Sequence, residues 1–143
     1  MLGAVLLGAL FLLLACGKGS DPRNATPSTQ AQVPTNQPVV RPEFLKLKGQ
    51  WQRPDGGYVL EIRNVDHTGL MEAGYFNPSP IKVSKALAFR DGEDTKVFVE
   101  LRDAGYPGCT YSLKYDAKVD QLYGEYFQAA QQQTYDVTFG RVP

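Results

Sequence analysis

The chain contains one histidine, His67, and two cysteines, Cys16 and Cys109. His67 lies in the turn-rich stretch Val65-Asp66-His67-Thr68-Gly69. With its one imidazole in a turn, the chain lacks the usual general base of a Ser–His or Cys–His nucleophile. It also lacks the several histidines of a zinc site. Cys109 has Arg102 as its nearest basic residue in sequence, so nothing local would lower a thiol pKa. It reads as a small buried hydrophobe, or as a thiol able to pair between molecules. Asp66, Asp91, Glu93, Asp94, Asp116 and Asp120 offer oxygen ligands, but their spacing matches no calcium loop and Asp is a common turn residue. No Gly-rich phosphate loop runs from a strand into a helix. These residues predict no catalysis, no cofactor and no resident metal. What remains is recognition: Arg53, Tyr75, Asn77, Pro78 and Tyr106. An aromatic side chain near a loop tip is a common contact anchor, and a Pro-stiffened loop loses little entropy on binding.

The elements that must position these residues show a period of two. Tyr58, Leu60 and Ile62 alternate with Val59, Glu61 and Arg63; Val97, Val99 and Leu101 alternate with Lys96, Phe98 and Glu100. The same alternation passes through Met71, Ala73 and Tyr75, through Tyr111, Leu113 and Tyr115, through Leu122, Gly124 and Tyr126, and through Tyr135, Val137 and Phe139. With strands over 45–53 and 81–90 added, the pattern predicts eight strands and no helix of three turns. Short turns such as Pro54-Asp55-Gly56-Gly57 and Asp91-Gly92-Glu93-Asp94 join antiparallel neighbours. The expectation is an all-β fold, a small eight-stranded up-and-down antiparallel barrel, because closure removes both exposed edges. Alternating strand direction collects Arg53, Asn77, Pro78 and Tyr106 at one end and the acidic turns at the other. Lys85 breaks the alternation of Ile81, Val83, Leu87 and Phe89. Either a bulge shifts the register there or the lysine snorkels near a barrel end.

Ahead of the strands lie two different segments. Residues 2–14 are apolar and shorter than the roughly 20 residues of a membrane span, but long enough for a signal-peptide core. They lack the positive residues that normally precede such a core. Leu13-Leu14-Ala15-Cys16 resembles the lipobox of bacterial lipoproteins. That resemblance implies a signal peptide over 1–15, cleavage before Cys16, and a thioether-linked diacylglyceryl with an added acyl chain such as palmitate. This is more than the two chains stable anchoring needs. Cleavage after Gly17, by an ordinary signal peptidase recognising Ala15 and Gly17, is the alternative. In that family Asp after the cysteine favours the inner membrane, so Gly17 implies the outer membrane, facing the periplasm. Residues 16–42 contain Pro22, Pro27, Pro34, Pro38 and Pro42 among Ser, Thr, Asn and Gln. Such a segment buries too little to offset ordering entropy. It is expected to be a disordered tether of about 30 Å r.m.s. reach. The barrel domain is then 43–143.

Within that domain, Gly49-Gln50-Trp51, a Gly-containing hairpin and a strand ending at Tyr75 resemble the opening of avidin-like and lipocalin-like barrels. Those families place a basic residue on the last strand across the Trp, which implies that role for Arg141. Their biotin contacts do not carry over: Arg53 stands where avidin-like proteins have Asn, and Gly57 where they have Ser. Lys+Arg balances Asp+Glu at 15 each, so no basic surplus exists for nucleic acid. The expectation is a lipid-anchored protein of a bacterial envelope that is not an enzyme. It presents one barrel end to an envelope partner or, alternatively, carries a small apolar ligand in its lumen. Eight strands are near the limit at which side chains fill a barrel, so a hollow interior selects the second reading.

Overall fold

The computed structural model describes residues 38–143. The signal peptide, Cys16 and nearly all of the tether lie outside the described residues. The chain enters as an extended segment through Val40, whose side chain packs on the core. It then makes one helical turn, α1 (Pro42–Leu45), with proline at its start, where a missing N–H costs nothing. The strand expected over 45–53 is therefore shorter, beginning only at Gly49. Phe44 and Leu47 are apolar on the inner side of this turn and both are buried. Extended backbone would place them on alternating faces less well than one helical turn does.

Nine strands follow: β1 (Gly49–Gln52), β2 (Val59–Val65), β3 (Met71–Asn77), β4 (Ser79–Ile81), β5 (Val83–Asp91), β6 (Asp94–Asp103), β7 (Tyr106–Asp116), β8 (Gln121–Gln128) and β9 (Gln133–Arg141). All pairs are antiparallel, in the order β4-β3-β2-β1-β9-β8-β7-β6-β5. The architecture is the expected all-β meander, with nine strands rather than eight. The predicted strand over 81–90 breaks at Lys82, where β4 has finished its short pairing with β3 and β5 takes up pairing with β6. The sheet curls until β3 meets β5. There the Ala88 N–H donates to the Gly69 carbonyl at 2.7 Å and Leu70 bridges Leu87, so the barrel is nearly closed. Gly69 has φ +91°, and a Cβ on it would lie 2.0 Å from the Ala88 oxygen. Only glycine allows that approach.

The core is the inward set of the alternating strands, including Leu60, Ile62, Val97, Val99, Leu101, Leu113, Leu122 and Phe139. At Lys85 the register shifts between Val83 and Lys85, a bulge at Ser84. Beyond it Ala86 and Ala88 face inward and are buried, while Lys85, Leu87 and Phe89 turn outward. The bulge resolves the misplaced lysine by inverting every residue after it. Two small alanines on the inner wall leave space that larger residues would fill.

Candidate functional site

The two ends of the barrel are built differently. At the α1 end, Trp51 on β1 is fully buried and its Nε1–H donates to the Leu47 carbonyl at 2.8 Å. Arg141 at the end of β9 pairs with Trp51 in register, and its guanidinium lies 4.0 Å from the indole centre. Nη1 donates to the Lys48 carbonyl at 2.6 Å and Nη2 to the Lys46 carbonyl at 2.5 Å, while Nε reaches Asp120 at 2.6 Å. These bonds satisfy carbonyls left open where α1 ends. Gly49, at φ +136°, clears the path of that arginine, since a Cβ would lie 2.6 Å from Nη1. Gly49, Trp51 and Arg141 thus form one clasp, joining the first strand, the last strand and α1. Of the acidic turn residues of this end, Asp120 bonds Arg141 and Asp94 pairs with Lys114, while Asp66 and Asp116 act on their own turns. Asp66 accepts bonds from Thr68 and Leu70, and Asp116 from Lys118.

The opposite mouth is hollow. β1 rises to Arg53, β3 to Asn77 and β6 to Asp103; β7 descends from Tyr106, β8 rises to Gln128, and β9 descends from Gln133. These ends surround a cavity of about 550 Å³ whose lining includes Arg53, Tyr58, Tyr75, Tyr106, Tyr111 and Tyr135. Small-molecule sites begin near 300 Å³. The interior below is packed, so the expectation of a barrel filled throughout is corrected at this end only. A shallower groove of about 460 Å³ runs between Arg53, Gln121 and Arg141.

Five tyrosine rings line the hollow in one run. Tyr106 meets Tyr75 at 6.3 Å between centres, Tyr75 meets Tyr111 at 5.5 Å, Tyr111 stacks on Tyr126 at 4.7 Å, and Tyr126 on Tyr135 at 6.5 Å. Tyr75 and Tyr111 are buried at the floor, and Tyr135 is 41% exposed at the rim. Their spacings suit mutual aromatic attraction and leave open faces toward the space between. The Tyr75 and Tyr111 hydroxyls share a 2.6 Å bond. Burial, and then the neighbouring Tyr111, push the Tyr75 hydroxyl far above its ordinary pKa. Burial does the same to Tyr111, against the pull of its bonds with Tyr75 and Arg53. Both stay protonated and can donate.

Arg53 forms one wall. Its guanidinium lies 4.4 Å from the centre of the Tyr58 ring, and Nη1 makes a long 3.4 Å bond to the Tyr111 hydroxyl. Nε donates to Asp55 at 2.9 Å, and Nη2 also bonds Asp55. Burial pulls the Arg53 pKa down, but the bonds to Asp55 and Tyr111 more than offset this. Arg53 in turn holds the Asp55 carboxyl below its usual range. Comparison with family models, curated proteins and solved structures found no match.

Of the residues singled out from sequence, Arg53, Tyr75 and Tyr106 come together in the lining. Asn77 stands behind them, its amide donating to the Tyr106 hydroxyl at 2.8 Å. Pro78 tops the β3–β4 turn, exposed and outside the lining. Asp55 was expected at this end; Tyr58, Tyr111, Tyr126 and Tyr135 were missed as site residues, as were Gly105, Gln128 and Asp136. Four of these, Tyr58, Tyr111, Tyr126 and Tyr135, stand in the alternating sets read from the sequence. Strand direction adds the missing signal: Tyr126 and Tyr135 lie near the mouth-side ends of β8 and β9, and Tyr111 midway along β7. Among the described residues no group of three or more His, Cys, Asp or Glu side chains is placed to hold a metal.

Proposed function

We propose that this chain is a lipid-anchored, non-enzymatic binding protein of a bacterial envelope, which receives a small ring-bearing guest in its tyrosine-lined mouth. The observation that carries the reading is the 550 Å³ hollow walled by five successive tyrosines. A lumen serving only stability would be filled, since interiors pack to near-crystalline density. The mouth faces away from the end where the described chain enters, so an anchor at Cys16 leaves it free. The clasp of Gly49, Trp51 and Arg141 supports the resemblance to avidin-like and lipocalin-like barrels, and with it a guest held in the mouth.

The test is titration of the full chain, ¹³C-labelled at tyrosine, with small ring compounds. Binding should shift the Tyr106 and Tyr135 ring signals, and Tyr106→Ala should weaken it. Guests that bind without moving either signal would reject this site. A second reading, docking of an envelope protein on the same mouth, is favoured by the exposed Tyr135 and the Pro78 turn. Tyr106→Ala and Asn77→Ala would then remove a partner recovered by wild-type chain. The anchor is tested separately: labelling with a fatty-acid analogue should fail in Cys16→Ser.

A further inference from the structure

The hydrogen-bond groups of the mouth are unbalanced, and the imbalance selects a ligand class. Each tyrosine hydroxyl has one proton to give, and a guanidinium has five N–H donors. In the Tyr75–Tyr111 pair one hydroxyl donates to the other. Whichever donates, the second proton has no acceptor among the described residues. The Tyr106 hydroxyl already accepts from Asn77, so its proton also points elsewhere. Arg53 gives Nε–H and one Nη2–H to Asp55 and one Nη1–H to Tyr111. Two of its donors are left over. The floor and wall therefore present several unshared protons to the cavity, whose lining also holds Asp55, Gln128 and Asp136.

A hydrocarbon guest would strip water from these donors without replacing it, which is costly. A cation would face the Arg53 charge. A carboxylate meets both conditions, and the guanidinium edge matches it in a two-bond geometry. The site already holds such a group. Asp55 occupies the outer edge of Arg53 from the turn Pro54-Asp55-Gly56-Gly57. The Arg53 side chain is 11% exposed and fixed on Tyr58, whereas Asp55 is 58% exposed. The arginine is the fixed partner and the aspartate the exchangeable one. Asp136, the other acid, also lines the cavity, with its side chain on the outward parity of Thr138 and opposite Glu125.

We infer that the mouth takes a flat-ringed carboxylic acid. Its carboxylate bonds to Arg53 and the Tyr75–Tyr111 hydroxyls in exchange for Asp55, while its ring lies against Tyr106, Tyr126 and Tyr135. This deepens the proposed binding role and rests on it.

The experiment uses the full chain carrying Cys16→Ser, free of acyl groups and detergent. Three probes share one ring system: 2-naphthoate, 2-naphthalenemethanol and 2-naphthylmethylammonium. Calorimetry gives affinities and the tyrosine ring signals report the place. Naphthoate should bind tightest. Losing bonds to a charged group typically costs tenfold or more, so Arg53→Gln should weaken naphthoate by about tenfold or more and leave the alcohol within about twofold. Tyr111→Phe keeps the ring and should weaken naphthoate several-fold. Asp55→Asn removes the internal competitor and should tighten naphthoate. If the three probes bind alike at the tyrosines, or the ammonium binds tightest, the carboxylate assignment falls and the cavity reading stands. If none shifts the tyrosine signals, both fall.

Discussion

Replacing Arg141 by methionine keeps a long apolar stem and removes the guanidinium. Four contacts go with it. The stack on Trp51 is worth about 0.5–1 kcal/mol where partly exposed. The two bonds to the Lys46 and Lys48 carbonyls are charge-assisted but near solvent, so about 1 kcal/mol each is a fair discount from the buried range. The pair with Asp120, whose side chain is 44% exposed, adds about 0.5 kcal/mol. The expected loss is about 3 kcal/mol. For a domain of this size that lowers Tm by about 12 °C or more. Trp51 is the only tryptophan, so its emission reports the clasp directly and should change in the folded variant. Arg141→Lys keeps the charge but not the fork, and should recover a minor part of the loss. A Tm within about 2 °C of wild type, with unaltered Trp51 emission, would show that the clasp does not hold α1 to the barrel.

Three further outcomes are expected. Gly69→Ala should break the β3–β5 seam, seen as faster hydrogen exchange at the Ala88 amide than at Val99; equal protection would mean the seam does not depend on that close approach. The bond from Arg141 holds the Asp120 carboxyl below its ordinary pKa. A depressed folded-state pKa contributes stability that is complete above the unfolded value near 4 and lost as pH falls through the folded value. Wild type should therefore exceed Asp120→Asn in Tm at pH 7 and lose that lead below about pH 4; a constant gap would contradict the pairing. Cys109 is fully buried, so a thiol reagent should modify it in denaturant and not in the native protein, and prompt native labelling would place it wrongly.

The alternation of side chains was legible in β6, β7, β8 and β9, and in β2 as far as Ile62, where a register shift buries Val65 instead of Asn64, because strand parity is a local property of the chain. The placing of Arg141 across from Trp51 was legible too, since Arg141 shares the parity of Val137 and Phe139; its bonds to the end of α1 were not. Half of the mouth was not. Tyr111 and Tyr126 were recognised as inward-facing but taken for filling, because whether an inward ring meets a neighbour or an open space depends on the opposite wall. Elsewhere in the barrel, Ala86 and Ala88 face inward only because the Ser84 bulge inverts the register of β5. The local pattern signalled the disturbance at Lys85 but did not say which side would win.

By itself, then, the sequence determined an antiparallel β meander, since period and turn chemistry act over a few neighbours. It also placed the one histidine in a turn. The tertiary structure decided the helical turn at α1, the break at Lys82 and the hollow among the tyrosines. Each of these depends on which distant strand arrives alongside, and closing a barrel couples all nine strands at once.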